Sequence, residues 1–132
     1  MTIRMPLILP LVLSLFVFVA LPGFPMAAEE RFFEALYDVP VMPGMEEVPG
    51  QSMLFDKPDG RIAVVVAATK VAKPAEVSAF YDETLTQMGW KKVGVNQYLR
   101  GEQRLGIKIE GATRASVVNF TLEPRGATPA GK

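Results

Sequence analysis

One stretch constrains the fold more than any other: Pro74 to Trp90, PAEVSAFYDETLTQMGW. Val77, Phe80, Tyr81, Leu85 and Met88 recur every three or four residues, which on a helix makes one apolar stripe. Glu76, Asp82, Glu83 and Gln87 fall mostly on the other side. Pro74 suits the first helical position, where its missing N–H has no partner to lose. Glu76 favours the positive end of the helix dipole. Lys73 is a poor N-cap, so the start is placed to within a residue or two. Gly89 can take the left-handed conformation that ends a helix. A Schellman ending then brings Trp90 back against Leu85, and Lys91 and Lys92 face the negative end of the dipole. The spacing therefore predicts one long helix, with the only tryptophan as a packing residue. The competing reading of Trp90 is an exposed indole that stacks on sugar or faces lipid.

A helix with one apolar stripe needs a sheet to cover, and the flanking segments supply strands. Ser52 to Lys57 places Met53 and Phe55 on one side. Lys57-Pro58-Asp59-Gly60 is a tight turn into Arg61 to Thr69, RIAVVVAAT, so the two strands form a hairpin. The second is apolar on both faces. It is expected to be a central strand covered on both sides, or one whose second face uses only alanine and Val65. After the helix, Lys91 to Val95 turns at Asn96 into Tyr98 to Arg100, and Gly101-Glu102-Gln103 turns again. In Arg104 to Glu110, Leu105, Ile107 and Ile109 alternate with Arg104, Gly106, Lys108 and Glu110. Gly111-Ala112-Thr113 leads to Ser116 to Glu123, where Val118, Phe120 and Leu122 share a face. Short turns force antiparallel pairing. The expected class is α+β: one long helix packed on an antiparallel sheet of about five to six strands.

The string FY-x-x-x-L-x-x-x-GW, carried by Phe80, Tyr81, Leu85, Gly89 and Trp90 and followed by short alternating strands, resembles small secreted or lipoprotein domains of bacterial envelopes. Domains of outer-membrane assembly lipoproteins, in which an antiparallel sheet grips a helix, are similar in plan. The resemblance covers Ser52 to Glu123 and implies a fold and a compartment, not an activity. Lipid anchoring does not carry over, because the chain has no cysteine to acylate.

The amino terminus implies the same compartment. Arg4 precedes an apolar run from Leu7 to Leu21, broken by Pro22, Gly23 and Pro25. Ala27 and Ala28 then stand before Glu29 and Glu30, the layout of a secretory signal peptide. The alternative is an uncleaved anchor, since Met5 to Ala28 carries no charge and exceeds the ~20 residues that span a bilayer. Pro6, Pro10, Pro22 and Pro25 make that stretch a poor continuous helix. The expected organisation is residues 1–28 as signal peptide or membrane anchor, 29–50 as an extended strap, 51–123 as the α+β domain and 124–132 as a disordered tail. With no cysteine, burial alone must hold the domain in an oxidising compartment.

The strap is rich in proline, glycine and methionine. Phe32, Phe33, Leu36 and Tyr37 suggest an amphipathic turn or two. Beyond them, Pro40, Pro43, Gly44, Pro49 and Gly50 preclude a regular element. Val39, Val41, Met42, Met45 and Val48 are too apolar for a free linker. The segment reads as a cover over one edge or end of the core, or as a docking segment for a partner.

The side-chain inventory argues against chemistry. The chain has no histidine and no cysteine, hence neither the commonest general base nor a thiol nucleophile. Ser52, Ser78 and Ser116 have no histidine to activate them. The neighbouring carboxylates Glu46 and Glu47, Asp56 and Asp59, and Asp82 and Glu83 point apart rather than across a cleft. Met42 and Met45, joined by Met53, have thioethers that bind copper(I) in some exported proteins, but methionine also fills gaps in irregular apolar segments. Lys91, Lys92, Arg100, Arg104 and Lys108 offer a basic area that Glu102 and Glu110 interrupt. With 14 basic and 14 acidic residues, nothing favours nucleic acid. The expectation is a non-enzyme without catalytic residues, cofactor or metal: an exported envelope domain acting by protein–protein interaction. The alternative is a carrier of a small apolar ligand held between helix and sheet. The partners are then an envelope protein and, through residues 1–28, the membrane; the oligomeric state stays open.

The export reading predicts a native protein that begins at or near Glu29 and is recovered outside the cytoplasm, in the periplasm of a two-membrane cell. Mass spectrometry of the native amino terminus checks it. An intact Met1 in an inner-membrane fraction would identify residues 1–28 as an anchor instead.

Overall fold

In the computed structural model the described residues are 29–127, together with Thr2 and Gly23. The expected signal peptide or anchor, those two residues apart, and residues 128–132 lie outside them. The elements run β1 (Met45–Glu47), β2 (Met53–Lys57), β3 (Gly60–Thr69), α1 (Pro74–Gln87), β4 (Lys91–Gly94), β5 (Gln97–Arg100), β6 (Gln103–Gly111) and β7 (Ser116–Pro124). The α+β class holds, with two corrections. The helix is short, 14 residues rather than a long helix to Trp90, and the antiparallel sheet has seven strands rather than five to six.

The strands are ordered β1-β3-β7-β6-β5-β4, with β2 also paired to β3. β1 pairs with Ala67 to Thr69 and β2 with Gly60 to Val64. They therefore lie end to end on one side of β3, as a single edge strand interrupted at Val48 to Ser52. Val48 N–H still bonds to Val66 O at 2.8 Å across the interruption, and the Ser52 hydroxyl donates to the Glu47 carboxylate over it. β1 is the strand that the prolines and glycines of the strap concealed: a strand of three residues fits between Gly44 and Pro49.

The helix begins at Pro74 with Lys73 as its cap residue, whose own N–H bonds to Glu76 Oε2 at 2.9 Å. It ends as its last turn dictates. Gly89 has φ +90°, its N–H bonds to Thr86 O, and Trp90 N–H reaches Leu85 O at 3.0 Å. Those two bonds define the Schellman motif. Val77, Tyr81, Leu85 and Trp90 are buried, and Phe80 and Met88 pack at the margin.

The core is a single layer between helix, strap and one sheet face. Leu105, Ile107, Val118, Phe120 and Leu122 supply the sheet side, with Ile109 partly buried against them. On β3 the covered residues are Ala63, Val65, Ala67 and Thr69; Ile62, Val64, Val66 and Ala68 face the other way and stay half exposed. β3 is thus not covered on both faces, contrary to the first expectation. Its small-residue face is the covered one, which leaves room for large rings. Phe120 meets Phe33 of the strap at 4.9 Å and Tyr81 of the helix at 5.1 Å between centroids.

The strap is part of this core. Phe33, Leu36, Val39 and Met45 are buried, while Phe32 and Tyr37 of the same segment are exposed. Residues 31–40 form bends, one turn at Leu36 to Val39 and a Phe32–Pro40 bridge. The Tyr81 hydroxyl donates to Pro40 O at 2.9 Å and accepts from Met42 N–H at 3.3 Å. Gly44 turns the chain into β1 with φ +80°, and a Cβ there would stand 2.6 Å from Val71 Cγ2. Arg100 stacks on Trp90 at 4.4 Å and pairs with Asp38 of the strap. Beyond Pro124, Arg125 N–H bonds to Glu102 O at 2.7 Å, so the chain is held as far as Ala127, past the start of the expected tail.

Trp90, 2% exposed, sets the first structural prediction. Trp90→Ala is expected to cost ~3–5 kcal/mol in denaturant melts, the usual cost of emptying a large aromatic site. Gly89→Ala is expected to cost less, ~1–2 kcal/mol, because it strains a left-handed residue. The space around Gly89 is open, so that cost is in the backbone alone.

Candidate functional site

The structure does not gather the side chains that the sequence offers for chemistry. The Ser52 hydroxyl donates to Glu47, that of Ser78 to Asn96 Oδ1 at 2.7 Å, and that of Ser116 to Ala72 O at 2.9 Å. The acceptors of Ser78 and Ser116 are an amide and a backbone carbonyl, neither of which is a base; that of Ser52 is a carboxylate. Met45 is buried with its sulfur 3.7 Å from the Tyr81 hydroxyl, whereas Met53 is exposed on β2, so the thioethers are divided between core and edge. Among the described residues, no group of three or more His, Cys, Asp or Glu side chains is placed to hold a metal ion. The five basic residues do not form one area. Lys92 and Arg100 turn toward helix and strap, while Arg104 and Lys108 line a shallow groove of the opposite face over Gly106.

One carboxylate has a role that spacing alone did not reveal. Asp82 accepts from the Tyr98 hydroxyl and from Lys92 Nζ at 2.9 Å. Four residues earlier, Ser78 bonds to Asn96, the left-handed turn residue between β4 and β5. One helix edge thus clamps the β4–β5 hairpin. The hydrogen bonds from Lys92 and Tyr98 hold the Asp82 carboxyl below its ordinary range. Burial, then the neighbouring Asp82, pushes the Tyr98 hydroxyl up, and burial does the same at Tyr81. A strand tyrosine at Tyr98 with an apolar body and a polar tip was the available signal. Its partner followed only from the fold. Glu83, the other half of the pair, is exposed.

What remains accessible is a surface. β2 is exposed at every position, with Met53 at 52%, Leu54 at 44% and Phe55 at 51%. Three consecutive large apolar side chains on an edge strand are unusual, because such an edge is a template for further pairing. Met53 lies opposite Val64 and Phe55 opposite Ile62, on the sheet face that helix and strap leave open. Ile62, Val64, Val66 and Val117 continue that apolar strip across β3 to β7, and Asn119, Thr121, Arg104 and Lys108 border it. The far edge of the sheet is built differently. β4 carries Lys91 and Lys92 and breaks register before Gly94. Charge and irregularity are devices that blunt an edge.

Between helix and sheet, Tyr81, Leu85, Leu105, Ile107 and Phe120 fill the space. One cleft, about 530 Å³, separates the strap at Val41 to Gly44 from Phe80, Thr84 and Gln87 of the helix, beside Glu29.

The Asp82 clamp makes a pH prediction. A carboxyl depressed in the folded state stabilises above its unfolded value, about 3.9, and loses that contribution as pH falls through the folded value. Asp82→Asn is therefore expected to be less stable than wild type at neutral pH, with a gap that narrows in urea melts below about pH 4. A gap constant down to pH 2 contradicts the clamp. No family model, no curated protein and no solved structure matches the chain.

Proposed function

We propose that this chain is a non-catalytic binding domain of the cell envelope that works by protein–protein interaction through the β2 edge and the open sheet face beside it. The observation that carries the reading is the run Met53-Leu54-Phe55, exposed on a strand whose outer side is unpaired among the described residues. The domain has an alternative home for such residues, since its opposite face buries a full core, and yet it keeps these outside. Surfaces of that composition mark interaction sites. An unpaired strand edge adds backbone hydrogen bonds to any partner that extends the sheet. Export is supported by the apolar run and small residues of 1–28. The carrier alternative has no supporting observation among the described residues, because the helix–sheet interface is occupied by side chains.

A photo-reactive side chain at Phe55 tests the reading in cells. It is expected to form a protein adduct, and the same group at Glu83, on the exposed side of the helix, is expected to form none. A Phe55 site that yields no protein adduct overturns the reading.

A further inference from the structure

The β2 edge has a geometry that selects its occupant. Val66 O accepts a hydrogen bond from this side, so the even-numbered residues of β3 turn their backbone groups toward the β1–β2 edge. Gly60, Ile62 and Val64 therefore bond to Lys57, Phe55 and Met53. By the same alternation the N–H and C=O groups of Leu54 and Asp56 point outward. Proline–glycine and proline–aspartate turns, Pro49-Gly50 and Pro58-Asp59, bound the straight segment Gln51 to Lys57 on either side. Its midpoint is Leu54.

We infer that β2 pairs antiparallel with β2 of a second copy of this chain, about a two-fold axis through Leu54. The inference rests on the proposed interaction surface and names its partner. Centred there, the segment is self-complementary. Leu54 faces Leu54 of the other copy in a hydrogen-bonded pair, with both outward backbone groups used. Met53 faces Phe55 twice, thioether against ring, a favourable contact. Ser52 faces Asp56, polar against polar, and Gln51 faces Lys57. Gly50 meets Pro58, so the pairing stops on both sides where the chain turns away. A shift of the axis to Asp56 sets like charges opposite each other. A shift to Phe55 sets Leu54 against Asp56 and Met53 against Lys57, apolar against charged. Only the Leu54 register matches apolar with apolar and polar with polar. A two-fold axis also closes the assembly at two copies, because the β4 edges on the outside carry the lysines and the broken register.

The chain has no cysteine, so single-cysteine variants report the register directly. In a hydrogen-bonded pair the two Cα atoms lie ~5.5 Å apart, within the range a disulfide spans. Under mild oxidation of the protein as the cell processes it, Leu54→Cys is expected to form a covalent dimer. Phe55→Cys, staggered two residues from its counterpart, and Val95→Cys, far from the edge, are expected to stay largely monomeric. Sedimentation of the wild type at ~100 μM, well above a micromolar dissociation constant, is expected to give a dimer. Leu54→Lys is expected to give a monomer whose thermal melt matches that of the wild type at dilution. A monomeric wild type at that concentration, or faster coupling at Phe55→Cys than at Leu54→Cys, overturns the inference. A monomer whose photo-reactive Phe55 site captures a different protein overturns self-pairing alone and leaves the interaction surface standing. The absence of any adduct overturns both.

Discussion

The Tyr81 hydroxyl joins the three parts of the domain. Its ring lies against Phe120 of the sheet, its backbone belongs to the helix, and its oxygen holds Pro40 O and Met42 N–H of the strap. The strap bonds to itself from Phe33 to Val39, Val39 to Leu36, Val41 to Arg31 and Met45 to Met42, and Tyr81 ties it to the helix. Removing that oxygen leaves a buried carbonyl without this donor and a backbone N–H without its acceptor, at a cost of about 1–3 kcal/mol for each buried group left unsatisfied. Against a total stability of about 5–15 kcal/mol, that hydroxyl is a substantial addition to the burial of Phe33, Leu36, Val39 and Met45 that keeps the strap on the core. Arg100 makes the second attachment, stacking on Trp90 and pairing with Asp38, two residues before Pro40.

These attachments determine what the surface offers. Strap and helix both cover the face of Ala63, Val65, Ala67, Val118 and Phe120, and nothing in the described residues covers the other. A sheet of this width with one covered face normally carries polar residues on its open side. β6 does so, with Arg104, Lys108 and Glu110. β2 and β3 do not, with Met53, Phe55, Ile62, Val64 and Val66. The asymmetry between the two halves of one face, and between the β2 and β4 edges, gives the functional reading its support.

The elements legible in the sequence are those whose cause is local. The Gly89-Trp90 ending, the Pro58-Asp59 turn and the alternation of Leu105, Ile107 and Ile109 each follow from the residues that form them. The helix is shorter than the stretch Pro74 to Trp90 because Met88 is its cap and Gly89 and Trp90 form the Schellman ending. β1 escaped because its three residues are paired by β3, not by any pattern of their own. The covered face of β3 was ambiguous, since a valine-rich strand reads as apolar on both sides until large rings from elsewhere select the side with alanine. The Asp82 clamp and the exposed edge are tertiary facts: Tyr98 is 16 residues from Asp82, and Met53 to Phe55 look like core until the sheet order places them outside.

Amide hydrogen exchange resolved by residue tests the account most directly, because it reads both faces at once. At dilution, where any self-pairing is absent, Val39, Val41 and Met45 of the strap are predicted to exchange as slowly as the core strands. Met53, Phe55 and Lys57 should be protected, and Leu54 and Asp56 should exchange freely. That alternation along five consecutive residues follows from one unpaired edge. A fast-exchanging strap, or uniform protection from Met53 to Lys57 at dilution, would contradict it.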